Sequence, residues 1–109
     1  MDNGLIIEIL QEGNGPAAEE YSIITVNYTG TLEDGTVFDS SLKPGRDSLR
    51  FTLGVNQVIA GWDQGLIGMR VGEKRKLIVP PEMGYGDQEM GDIPPNSTLF
   101  FEVDLLTVE

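Results

Sequence analysis

The 109-residue chain has no cysteine and no histidine, and it sets only 7 lysines and arginines against 18 aspartates and glutamates. Without cysteine there is no disulfide, no zinc–thiolate centre and no thiol nucleophile. Without histidine there is no Ser-His triad, no imidazole metal ligand and no usual general base near neutral pH. The net charge of −11 counts against nucleic acid, because phosphate binding draws on clustered Lys and Arg, and against anionic membrane surfaces. It reads as a solubility feature. No apolar run approaches the ~20 residues that span a bilayer. Met1-Asp2-Asn3-Gly4 carries no basic region leading an apolar stretch, so no signal peptide is expected and a cytoplasmic location follows. Chemistry here must use carboxylates, hydroxyls, backbone groups or shape.

The length gives one domain, expected to span 1–109, with enough chain for one core without covalent staples. Leu5 to Leu10 is apolar and β-branched, and Glu12-Gly13-Asn14-Gly15-Pro16 breaks it. Gly13 to Ala18 matches a dinucleotide-binding fingerprint in spacing only. No amphipathic helix follows, so it reads as a turn. From Ser22 to Gly30, Ile24, Val26 and Tyr28 alternate with Ile23, Thr25 and Asn27, a strand with one buried face. Glu33-Asp34-Gly35 predicts a hairpin turn into a strand over Thr36 to Ser40. Leu42 to Ser48 reads as loop and Arg50 to Leu53 as a further strand.

The spacing predicts the one helix over Gly54 to Gly68, with Val55, Val58, Ile59, Trp62 and Leu66 as its apolar stripe. Gly61 and Gly65 each cost about 1 kcal/mol of helix propensity against alanine, so this helix must pack on a sheet to hold. Lys74 to Val79 is the next strand, ended by Pro80-Pro81, and Glu82 to Pro95 reads as an extended loop. Thr98 to Val108 is the longest strand, alternating Leu99, Phe101, Val103 and Leu105 with Phe100, Glu102, Asp104 and Leu106. Five or six strands and one short helix make an α+β domain, a mainly antiparallel sheet with the helix over one face. A concave apolar pocket is expected where the sheet curls round that helix.

Seven segments then occur in a telling order. They are Val26-Asn27-Tyr28-Thr29-Gly30, Leu32-Glu33-Asp34-Gly35, Phe38-Asp39-Ser40-Ser41, Val58-Ile59-Ala60-Gly61-Trp62, Met83-Gly84-Tyr85-Gly86, Ile93 to Leu99 and Phe101 to Leu106. From about Leu5 to Glu109 the chain resembles the FKBP family, the peptidyl-prolyl cis-trans isomerases that bind tacrolimus and rapamycin. The resemblance implies a strongly twisted antiparallel sheet wrapped around one short helix. It also implies rotation about Xaa-Pro bonds in folding proteins, with proline-containing peptides and macrolides as ligands. Some relatives insert a chaperone domain into the Tyr85 to Ile93 loop and others add a histidine-rich metal-binding tail. This chain shows neither, so no metal site is expected. The implied reaction needs no cofactor, and a monomer suffices.

The resemblance also assigns residues. Trp62 would be the floor under the proline ring, with Tyr28, Phe38, Val58, Ile59, Tyr85 and Phe101 as walls. The Ile59 N–H and the Tyr85 hydroxyl would each bond a substrate carbonyl. Asp39, held by Tyr28 and Arg46, would act electrostatically near the rotating carbonyl. Leu49 stands where many relatives carry an aromatic residue, and Ile93 keeps one hydrophobic contact in a late loop that is one residue shorter. The Leu42 to Ser48 loop is one residue longer. These departures predict an altered sequence preference around proline and weaker macrolide binding. By spacing alone, Trp62, Phe38 and Phe101 would be core, Asp39 a turn residue and Tyr85 a loop aromatic. A proline-binding module with little catalysis stands as the alternative. The acidic group Glu82, Asp87, Glu89 and Asp92 fits no calcium loop and reads as solvated charge.

Overall fold

In the computed structural model, the described residues are 4–42, 47–88, 91 and 93–109. Six antiparallel strands and one short helix follow in the order β1 (Ile6–Gln11), β2 (Ile23–Thr31), β3 (Val37–Ser40), β4 (Leu49–Thr52), α1 (Ala60–Gly65), β5 (Lys74–Val79) and β6 (Leu99–Val108). The sheet runs β1-β5-β6-β2-β3, with β4 also on β2. β3 and β4 share one edge of β2: β4 lies opposite Ile23 to Val26 and β3 opposite Thr29 to Thr31. Between them the backbone of Tyr28 is closed by Ser41, whose Oγ accepts the Tyr28 N–H at 2.9 Å and whose N–H donates to the Tyr28 carbonyl at 3.0 Å.

Alternation decides which side of the sheet is dry. Ile24, Val26 and Tyr28 of β2, Leu77 and Val79 of β5, and Leu99, Phe101, Val103 and Leu105 of β6 are all buried, together with Trp62, Leu66 and Met69. Burying one such side chain stabilises the fold by about 1.5–3 kcal/mol. β1 is an edge strand whose six residues are all exposed. The Glu33-Asp34-Gly35 turn forms as expected: Gly35 takes φ +91°, and the Asp34 carboxylate accepts the Thr36 N–H at 2.9 Å.

The helix is shorter than the sequence predicts. It covers only Ala60–Gly65, not Gly54 to Gly68. Gly54 and Asn56 adopt left-handed backbone at φ +89° and +63°, which no α-helix contains. The buried Asp63 carboxylate accepts both of their N–H groups, at 2.8 and 2.9 Å, and fixes them outside the helix. Gly61 and Gly65 are explained by contact. A Cβ on Gly61 would sit 2.7 Å from Val79 Cγ1, and one on Gly65 would sit 3.0 Å from Leu77 Cδ2. The helix lies directly on β5 through its two glycines. A single 3₁₀ turn, Pro81–Met83, forms inside the stretch read as extended loop.

The Gly13–Ala18 segment binds backbone of the same chain. The Gly15 N–H donates to the Val71 carbonyl at 3.1 Å, and a Cβ on Gly13 would meet the Glu73 nitrogen at 2.4 Å. These glycines permit close backbone approach.

Candidate active site

Ten residues from six parts of the chain line a cavity of about 170 Å³: Tyr28, Phe38, Asp39, Leu49, Gln57, Val58, Ile59, Trp62, Tyr85 and Phe101. β2 supplies Tyr28 from its buried face. β3 supplies Phe38 and Asp39, and β6 supplies Phe101, which sits across from Gly30 in the ladder. Gly30 is needed there: a Cβ would fall 2.6 Å from Phe38 and 2.9 Å from Phe101. Without a side chain on β2, both rings fold over the strand and meet edge-on, 5.6 Å between centroids.

Trp62 is the hub. Tyr28 and Phe101 meet its indole edge-on with centroids 5.0 and 5.3 Å away, and Phe51 lies tilted at 5.8 Å. Such edge-to-face contacts add about 0.5–1.5 kcal/mol each beyond area burial. They fix the plane of the indole from three sides. Its Nε1 is buried with no hydrogen-bond partner among the described residues.

Tyr28 and Ser40 both donate to Asp39. The Tyr28 hydroxyl donates to Oδ2 at 2.6 Å and the Ser40 N–H donates to Oδ1 at 2.9 Å. Across the cavity, burial holds the Tyr85 phenol above its ordinary pKa of 10.0, and the nearby Asp39 charge pushes it further the same way. At neutral pH the Tyr85 hydroxyl is therefore a donor. Ile59 caps α1 in extended conformation, its carbonyl accepting the Trp62 and Asp63 N–H groups.

Of the residues singled out from the sequence, Asp39, Tyr85, Tyr28, Phe101, Phe38, Leu49, Val58, Ile59 and Trp62 come together around this one cavity. Ile93 does not line it; it is buried in the core cluster, where the chain re-enters toward β6. Arg46, expected beside Asp39, lies outside the described residues, as do Glu89 and Asp92 of the acidic group. Gln57 borders the cavity and was not foreseen. It is a polar residue inside an apolar stripe, and periodicity carries no signal for it. Among the described residues no group of three His, Cys, Asp or Glu side chains is placed to hold a metal ion. Among the described residues no helix is long and apolar enough to cross a membrane.

The model for the FKBP-type peptidyl-prolyl cis-trans isomerase family matches residues 15–106. The chain belongs to that family. It is 60% identical over 106 residues to the "FK506-binding protein" of Neisseria meningitidis serogroup B, covering 96% of each chain. Its fold is similar to the crystal structure of AtFKBP13, with a TM-score of 0.89, 40% identity and coverage of 97% of this chain and 94% of that one. FkpA from Escherichia coli gives the same TM-score at 43% identity, over all of this chain and half of that one. The antiparallel sheet with one short helix that the alternating strands predict is thus the FKBP fold that the resemblance implies.

Proposed function

We propose that an Xaa-Pro bond rotates in the cavity around Trp62, without covalent or acid–base chemistry. The family is one of peptidyl-prolyl isomerases, and the residues support a mechanism that suits a chain lacking histidine and cysteine. Rotation destroys amide resonance against a barrier of about 18–20 kcal/mol. The planar amide is the more charge-separated state, so a site of aromatic and aliphatic walls disfavours it more than the twisted one. The proline ring rests on Trp62, between Tyr28, Phe38, Val58, Ile59 and Phe101, with Leu49 completing the wall.

The hydrogen bonds supply geometry. The Tyr85 hydroxyl and the Ile59 N–H hold substrate carbonyls on either side of the rotating bond. Asp39 has both oxygens engaged by Tyr28 and Ser40. It acts as a fixed negative charge beside the carbonyl carbon, and no proton moves. The observation that carries the reading is the indole held edge-on by Tyr28 and Phe101 in the same cavity as the Asp39 carboxylate.

The substrates are proline-containing segments of folding proteins, whose uncatalysed isomerisation takes tens to hundreds of seconds. Macrolides of the tacrolimus and rapamycin type fit the same cavity, with weaker binding expected because Leu49 replaces an aromatic wall. We take residues 1–109 as a single isomerase domain, a monomer acting in the cytoplasm.

The test is the cis-to-trans relaxation of a panel of Xaa-Pro peptides with the parent, Asp39→Ala and Phe101→Ala. Acceleration by the parent, reduced in both variants while they remain folded, supports the reading. Relaxation at the uncatalysed rate with every peptide sinks it. Binding of the peptides without acceleration would make the protein a proline-binding module.

A further inference from the structure

We infer that the Gln57 carboxamide is a main-chain reader at the mouth of the cavity, donating from Nε2 to a backbone carbonyl of the substrate beyond the residues next to proline. This rests on the isomerase reading and extends the site by one contact. Gln57 is exposed and borders the cavity, next in sequence to Val58 and Ile59. Its Oε1 accepts the Thr52 N–H at 2.9 Å. A backbone N–H can only donate, so the atom facing Thr52 is the oxygen, and this fixes the orientation of the amide.

The consequence is chemical. The carboxamide is planar, with oxygen and nitrogen on opposite branches. With Oε1 bound to β4, the other branch is an NH₂ carrying two donors. Among the described residues no acceptor takes them. The Thr52 bond also holds the side chain in place before a ligand arrives, so less rotamer entropy is lost when one binds. The segment that carries Gln57 is itself fixed, since Asp63 binds the N–H groups of Gly54 and Asn56.

An exposed, pre-oriented amide donor recognises an acceptor. The Asp39 charge in the same cavity works against an acidic side chain as that acceptor. A peptide carbonyl is neutral and present in every substrate whatever its sequence. Gln57 therefore contributes length-dependent and sequence-independent affinity, and does not select particular side chains.

Gln57→Glu is the discriminating variant. One carboxylate oxygen still accepts the Thr52 N–H, so the loop keeps its bond, while the second branch changes from donor to charged acceptor. Steady-state isomerisation would be measured on an Xaa-Pro peptide with one flanking residue per side and on the same peptide extended by four residues per side. The sole tryptophan, Trp62, reports peptide binding by fluorescence, independently of catalysis. Gln57→Met, which loses both bonds, serves as the structural control.

The expected result for Gln57→Glu is a KM and Kd about tenfold higher on the extended peptide, as for loss of one hydrogen bond from a uniform binding contact. On the short peptide KM and Kd rise less, so the contact is read from the extended-to-short ratio, and thermal unfolding checks that the loop is intact. Equal KM and Kd on the extended peptide in parent and Gln57→Glu overturn the inference. So does a parallel loss on both peptides in Gln57→Met with none in Gln57→Glu, which would make Gln57 a loop-fixing residue only. If the parent binds peptides but accelerates none of them, the isomerase reading fails while the Kd comparison still decides the role of Gln57.

Discussion

The Tyr28 hydroxyl lies 2.6 Å from Asp39 Oδ2, so a residue of the buried face of β2 orients the carboxylate at the cavity wall. The same Tyr28 ring meets Trp62 edge-on at 5.0 Å. One side chain thus couples the apolar floor to the charged wall. Tyr28→Phe keeps the ring and removes the hydroxyl. Loss of a hydrogen bond to a charged group costs about 1.5–3 kcal/mol. We expect a stability loss at the low end of that range and a fall of about tenfold in kcat/KM. Chemical denaturation and peptide kinetics on the same samples check both. Full activity in Tyr28→Phe would remove the orienting role of the hydroxyl.

Tyr85 gives a pH prediction. Its pKa is raised, first by burial and then by the Asp39 charge, so the folded protein holds the phenol proton beyond the ordinary value of 10.0. The sign follows directly. Substrate binding through the hydroxyl persists above pH 10, and stability falls as pH rises through the folded pKa. Asp39→Asn removes the smaller cause and moves the Tyr85 titration down, but leaves it above 10. An absorbance titration of the phenolate in parent and Asp39→Asn measures this, with Tyr85→Phe identifying the signal.

Gly61→Ala tests the contact between α1 and β5. Helix propensity alone favours alanine by about 1 kcal/mol. The new methyl would meet Val79 Cγ1 at 2.7 Å and Cγ2 at 2.9 Å, and Val79 is fully buried. Overpacking costs typically about 1–3 kcal/mol, so destabilisation is expected despite the better propensity. The displaced helix also moves Trp62, and kcat/KM falls with it. A Gly61→Ala protein more stable than the parent would show that α1 can shift freely on the sheet.

Glu73 and Arg75 form a buried ion pair at the other end of the helix. Arg75 also donates to the Gly65 carbonyl at 2.9 Å and the Ile67 carbonyl at 3.1 Å, while Glu73 accepts the Arg70 N–H at 3.0 Å. Breaking a buried pair typically costs about 3–5 kcal/mol, because a charge is left without its partner. Arg75→Met should lose an amount in that range. Arg75→Met combined with Glu73→Gln should recover part of it, since no buried charge then remains. A double-mutant cycle by urea denaturation checks the recovery. Strict additivity of the two single losses would contradict the pairing.

Much of the architecture was legible because burial is periodic. Ile24, Val26 and Tyr28, and likewise Leu99, Phe101, Val103 and Leu105, mark their buried faces by alternation alone. The helix was overextended for the same reason: Val55, Val58, Ile59, Trp62 and Leu66 fit a helical stripe. What ends it early is tertiary, the Asp63 carboxylate binding two left-handed residues upstream. Nine of the cavity residues were named in advance, but spacing alone made several of them core. Their order along the chain, matched to the family pattern, drew them together. Ile93 was carried over from that pattern and lies in the core instead. Gln57 was missed because its importance depends on a bond to Thr52 that no local pattern encodes.

The central claim is that this chain rotates Xaa-Pro bonds with no proton in flight. The relaxation rate of one Xaa-Pro peptide, with and without the protein, in H₂O and in D₂O, tests it most directly. The predicted result is acceleration of the uncatalysed relaxation, with the same kcat/KM in both solvents. Contradiction would come from a rate equal to the uncatalysed one. It would equally come from an acceleration that slows more than about twofold in D₂O and loses that slowing in Asp39→Asn, the behaviour of general acid–base catalysis.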